Sequence, residues 1–255
     1  MSAGGLGAAV SVEGRKLFAA RVPLATAILL VVGVTAIGLS TTVAAETGSP
    51  GVVAKLGPLV AAGGWPGYVN AALQVTAAGS AGACGILLSW TFGREFSEGT
   101  VTGLFALPVS RGAIAASKLI VYLAWSVVAA VAVTIALFTV GLLAGFGVPE
   151  PADLGAAARL PVLVVLTSSV VVPVAWVATL SRGLLGGIAA TIALVVSAQV
   201  LVFSGAGSWY PPAAPALWAL DPTGANTVAV AVAFAVPVVF TGLTLFAWRR
   251  LQLDR

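Results

Sequence analysis

Apolar residues run along this chain in long unbroken blocks, without the three-to-four-residue spacing of helices that bury one face in water. A hydrocarbon layer about 30 Å thick is crossed by roughly 20 residues of helix. Six blocks reach that length: Val22–Ala45, Gly67–Phe92, Ile114–Phe146, Leu160–Leu180, Gly183–Ser204 and Thr227–Trp248. Breakers separate them, namely Gly48-Ser49-Pro50-Gly51, Pro149 with Pro151, Ser181-Arg182, and the proline-rich stretch from Tyr210 to Pro222. The pattern predicts an all-α polytopic protein, a single transmembrane domain over residues 1–255 with six spans. The third block, 33 residues long, exceeds the bilayer and is expected to tilt or emerge, with Lys118 reaching out to the headgroups.

Composition sharpens this picture. Hydrophobic residues make up 60% of the chain and charged residues 8%, against about 45–50% and 25% in soluble domains, so lipid is its main solvent. The charges also give an orientation. Arg15, Lys16, Arg21, Arg94, Arg111, Lys118, Arg182, Arg249, Arg250 and Arg255 fall on one side of the spans, and only Lys55 and Arg159 on the other. Short basic loops stay in the cytoplasm, which predicts cytoplasmic ends. Carboxylates divide evenly: Glu13, Glu95, Glu98 and Asp254 inside, Glu46, Glu150, Asp153 and Asp221 outside. The basic residues form no cluster of the kind that binds nucleic acid. Val43-Ala44-Ala45 offers small residues for signal cleavage. The block before it outruns the about 7–15 apolar residues of a signal peptide, so the first span is expected to be retained.

Several function classes lose support from what is missing. Histidine is absent and Cys84 is the only cysteine, leaving no disulfide framework and no Cys/His metal site. The deep parts of the six blocks carry no charge, unlike ion-coupled carriers. The polar residues at depth are Gln74, Ser168, Ser169 and Gln199; they either hydrogen-bond between helices or line a substrate path. An intramembrane enzyme is disfavoured, because no nucleophile, base or metal set can be assembled. Lys16, Lys55 and Lys118 follow Arg15, Ala54 and Ser117, so a nucleotide loop ending in Gly-Lys is impossible. Any energy source is expected in another polypeptide. Small residues at 79–85 and 183–190 permit close helix approach within one chain or between two.

The stretch from Gly93 to Arg111 combines charged, aromatic and turn residues. Arg94 and Glu98 are one helical turn apart and can pair. Gly99 allows a bend, and Thr100 is expected to cap a short helix. Val101, Leu104 and Phe105 would form an apolar face emerging on the cytoplasmic side. Pro108 would end that helix and Ser110 would cap the third span. On physical grounds alone the stretch also reads as an amphipathic loop in the headgroups.

Glu95-Phe96-x-x-Gly99-Thr100, then Leu104-Phe105-x-Leu107-Pro108-x-Ser110-Arg111 and Lys118, resembles the first cytoplasmic loop of ABC-2 type permeases, especially the bacitracin and lantibiotic-resistance branch. The resemblance implies a type V exporter-like fold with an N-terminal amphipathic helix and a cytoplasmic coupling helix. It also implies a bacterial plasma-membrane location, a second permease subunit and a separate ABC ATPase that holds ATP and magnesium. Carried over, Glu95, Phe96, Gly99, Thr100, Leu104, Pro108, Ser110 and Arg111 would contact that ATPase, joined by Arg94, Glu98 and Phe105 from the physical reading. Glu13, Arg15, Lys16, Leu17, Phe18 and Arg21 resemble the family's amphipathic connecting helix; Leu17 and Phe18 would face lipid.

The outer segment 205–226, with Trp209, Tyr210, Trp218 and four prolines, reads either as short helices dipping back into the bilayer, as in that family, or as an aromatic belt. Two functions follow: a permease exporting an apolar or amphipathic substrate such as a peptide antibiotic, drug or lipid, or a membrane scaffold or sensor anchoring a cytoplasmic partner without transport.

Overall fold

The computed structural model describes residues 3–48, 51, 53, 62–106, 108–224 and 227–252. Ser49, Pro50, Ala54, Lys55, Leu107, Asn226, Asp254 and Arg255, which the reading above covers, lie outside the described residues. The chain is an all-α polytopic membrane protein. In order, its helices are α1 (Ala3–Ala19), α2 (Arg21–Thr47), α3 (Gly64–Ser97), α4 (Val101–Phe105), α5 (Arg111–Leu143), α6 (Pro151–Ala157), α7 (Arg159–Val170), α8 (Pro173–Leu180), α9 (Leu184–Phe203), α10 (Ala214–Leu220) and α11 (Thr227–Arg250). Among the described residues, six helical runs are long and apolar enough to cross a membrane: α2, α3, α5, the stretch Pro151–Leu180, α9 and α11.

Each boundary has a local cause. Ser110 caps α5 by accepting a hydrogen bond from Ala113 N at 3.2 Å. Ser110→Ala is expected to lower thermal stability by about 1 kcal/mol, measurable as a shifted melting midpoint in detergent. Pro149 and Pro151 punctuate the sequence, yet Pro151 begins α6, because proline suits the first helical position. The Asp153 carboxylate accepts from Glu150 N at 3.0 Å to hold that start. The fourth span is broken between Val170 and Pro173. Proline there cannot donate to the previous turn, and Val174 N and Ala175 N bridge the gap with short three-residue bonds to Val171 O and Val172 O.

Helix α3 is the axis of the bundle, buried along most of its length and packed against α2, α5, α7, α8 and α9. Its approach to α9 is close. Gly85, Ser89 and Gly93, spaced four apart on α3, face Thr191 and Gly187 on α9 and Gly183 just before it. A Cβ placed on Gly93 would lie 2.8 Å from the Gly183 carbonyl, and one on Gly187 would lie 2.6 Å from Ser89 Oγ. Buried hydroxyls such as Ser89, Thr91, Thr179 and Thr191 donate to carbonyls four residues back in their own helices, which satisfies them in a setting without water.

The segment after α9 folds onto the bundle. Short 3-10 turns at Gly207–Trp209 and Pro211–Ala213 lead into α10, which packs against α3 and α7 and buries Ala214, Pro215 and Ala219. Arg159 donates to Ala219 O at 2.7 Å, and the Tyr210 and Ser197 hydroxyls meet at 2.9 Å. Trp209 alone of its aromatics points well outward. The described part of the segment, 205–224, packs on protein, with Tyr210 and Trp218 half-buried.

Candidate coupling site and open recess

Basic residues gather at one end of the bundle, where α1, the α3–α5 connection and the end of α11 meet. Here α3 continues to Ser97, five residues past the predicted end at Phe92. Nothing in Gly93-Arg94-Glu95-Phe96-Ser97 breaks a helix. Arg94 stacks over Trp90 at 4.4 Å and faces Glu98 at 3.8 Å. The chain then turns at Gly99, whose φ of +70° favours glycine.

The short helix α4 forms where expected, but with its apolar side inward. Val101 and Leu104 are buried, Phe105 is half-buried, and Thr102, Gly103, Ala106 and Pro108 face out. Thr100 does not cap it: the residue is itself in helical conformation, and its hydroxyl donates to Glu95 Oε2 through a short hydrogen bond. Phe105 joins Phe92 and Phe96 around Trp248 of α11, with ring centroids 6.0–6.4 Å from the indole. The Trp248 indole N–H donates to Thr179 Oγ1 at 3.0 Å. Arg111 lies over Phe105 at 4.1 Å and donates to the Leu251 carbonyl.

On the opposite flank of the connection lies a group of four charges. Lys118 Nζ donates to Glu13 Oε2 and to Glu95 Oε1, both at 2.8 Å. Lys16 Nζ donates to Glu13 Oε1 at 2.9 Å and to Glu95 Oε1 at 3.3 Å. All four carboxylate oxygens are occupied, the fourth by Thr100. Lys118 is 1% exposed and does not reach outward as predicted. Two opposite charges within bonding distance hold it more strongly than headgroups it would reach only by leaving them. Charge therefore does occupy the buried ends of two spans. Glu95, also 1% exposed, faces the interior; α4 and not this carboxylate presents an outward surface. Leu17 is turned into the core at 4% exposure, while Phe18 is 80% exposed, so only one of the two residues expected to face lipid points away from the protein. Burial acts to lower the Lys16 pKa, but the bonds to and charges of Glu13 and Glu95 outweigh it and leave it raised. Its stabilisation is thus complete below the ordinary lysine value and lost only as pH rises through the raised one.

The sequence pointed to α4 but missed the part played by Glu13, Lys16 and Lys118. A signal existed: Lys118 sits two turns inside an apolar helix, where a lone ammonium needs a partner.

The four polar residues predicted at depth do not share one path. Gln74 and Gln199 line an open recess of about 350 Å³ between α3, α9 and the segment around α10, otherwise walled by side chains such as Ala77, Leu194 and Leu217. Ser168 is buried, its Oγ donating to Ser126 Oγ at 3.1 Å and its carbonyl accepting from the Tyr122 hydroxyl at 2.7 Å. Ser169 lines a separate apolar crevice beside Trp218 and Phe234.

The model of a family described as ABC-2 family transporter protein matches residues 9–198. That match includes the four charges, α4 and the α3–α9 contact, and ends just before Gln199. No curated protein matches the chain.

Proposed function

Since the chain belongs to the ABC-2 family of transporter proteins, we propose that it is the permease subunit of an ATP-driven exporter in a bacterial plasma membrane, its basic end in the cytoplasm. It is a multi-pass membrane protein of a transport family, and such permeases generally work with a separate ABC ATPase subunit. ATP and magnesium would be held by that partner. The observation that carries the reading is α4. A short helix is presented at the basic end with an outward face of Thr102, Gly103 and Ala106, while its inner face is keyed to α11 through Phe105 and to α3 through Thr100. A partner pushing on the outer face would move two spans. Two such subunits would form the pathway, with the Gln74–Gln199 recess as a stretch of wall suited to apolar or amphipathic cargo such as a peptide antibiotic, drug or lipid.

Gly103 supplies a clean test, because a side chain added there meets nothing within 4 Å. Gly103→Trp is expected to leave folding intact and to reduce cargo-stimulated ATP turnover and efflux at least tenfold in vesicles reconstituted with the ATPase. Unchanged turnover and efflux would count against α4 as the docking element. ATPase binding without any flux in the unaltered chain would point to a scaffold.

A further inference from the structure

We infer that α1 is a detachable arm of the coupling machinery, held by a four-charge latch that can open without stranding a charge in the protein. The inference rests on the reading of α4 as the element the ATPase moves, and it adds a second moving part.

Consider how the four charges divide by element. Glu13 and Lys16 both belong to α1, three residues apart and paired at 2.9 Å. Glu95 and Lys118 both belong to the span bundle and pair with each other at 2.8 Å. Docking α1 brings two neutral pairs together and adds the cross-bonds Lys118–Glu13 at 2.8 Å and Lys16–Glu95 at 3.3 Å. Undocking loses only those cross-bonds. Each half keeps its own ion pair, so neither side is left with a buried, uncompensated charge, which is the event that makes broken buried salt bridges so destabilising. A different division, with both carboxylates on one element and both ammonium groups on the other, would lock the helix in place.

The rest of α1 fits a movable arm. It lies along α5 and barely touches α2, the next helix in sequence. Its chief apolar anchor in the core is Leu17, while Val12 and Phe18 on the other side are exposed. Ala20 joins α1 to α2 in extended conformation, φ −89° and ψ 147°, without a side-chain cap. The latch also touches α4, because Glu95 uses one oxygen for the two lysines and the other for Thr100. Whatever shifts Thr100 shifts a carboxylate on which α1 depends.

The test reads the seat of Leu17 directly. In a Cys84→Ala background, Leu17→Cys is labelled with a membrane-impermeant maleimide in vesicles. Adding Glu13→Gln together with Lys16→Gln removes one neutral half; it is expected to raise the labelling rate at least tenfold with little change in melting midpoint. Glu13→Gln alone, which leaves the buried Lys118 and the half-buried Lys16 ammonium groups with one carboxylate, is expected to lower the midpoint more than the double replacement does. A double variant as damaging as the single, or one with unchanged labelling, overturns the latch. With the ATPase present, trapping ATP is expected to change Leu17→Cys labelling at least fivefold. Constant labelling during ATP-driven efflux overturns the arm while leaving the permease reading intact. A tenfold response to the double variant in a chain that engages no ATPase supports the latch and counts against the permease reading instead.

Discussion

Lys118→Met is expected to destabilise the folded chain by about 3–5 kcal/mol, the scale of breaking a buried ion pair by removing one member. Methionine nearly reproduces the length and shape of lysine, so the loss would be electrostatic and not a packing defect. Glu13 and Glu95 would remain buried with Lys16 as their one shared cation. Neutralising Glu95 in the same chain leaves Glu13 and Lys16 as a matched pair. The double variant Lys118→Met with Glu95→Gln is therefore expected to recover most of the lost stability. Thermal inactivation in detergent, followed by monodispersity, measures both. Equal losses in the single and double variants would mean that charge balance is not what holds this end together.

Gly93→Val is expected to destabilise as well, for a steric reason. Overpacking a tight interior commonly costs about 1–3 kcal/mol, and here the added carbon would meet the backbone of Gly183 and Leu184 at 2.8 Å. Backbone cannot rotate aside as a side chain can. The same helix provides the control, because a methyl group on Gly82 meets nothing within 4 Å. Gly82→Ala is expected to be neutral or to stabilise by about 0.5–1 kcal/mol through helix propensity. The melting midpoint should fall for Gly93→Val and hold or rise for Gly82→Ala. If Gly93→Val melts like the unaltered protein, α3 and α9 are not in contact there.

The spans were legible because hydrocarbon length imposes itself on sequence more strongly than any local preference. Ser110 as a cap and Gly99 as a turn were legible for a similar reason, each being fixed by one residue's own chemistry. What escaped depends on partners far apart in the chain. Lys118 read as a residue reaching for headgroups, since counting charge by side of the membrane says nothing about Glu13 and Glu95, 105 and 23 positions away. Thr100 read as a cap because a threonine ahead of an apolar run usually is one; a nearby carboxylate accepts its hydroxyl's hydrogen bond instead. The inward turn of Phe105 brings it against Trp248, 143 residues downstream, whose ring it meets edge to face. The recess joins Gln74 to Gln199, which no spacing rule relates.

The glycine and serine contact between α3 and α9 bears on how tightly the membrane stays sealed. The two helices are in backbone contact at the basic end, at Gly93 and Gly183, and part toward the other end into the recess that holds Gln74 and Gln199. Their outline is a V with its point at the basic end. A molecule resting in the mouth of that V has no gap ahead of it between these two helices, and neither does a hydrated ion driven by the membrane potential. The smallest side chains in the chain thus close the point of that V, and a single methyl group added at Gly93 would have to push the two backbones apart.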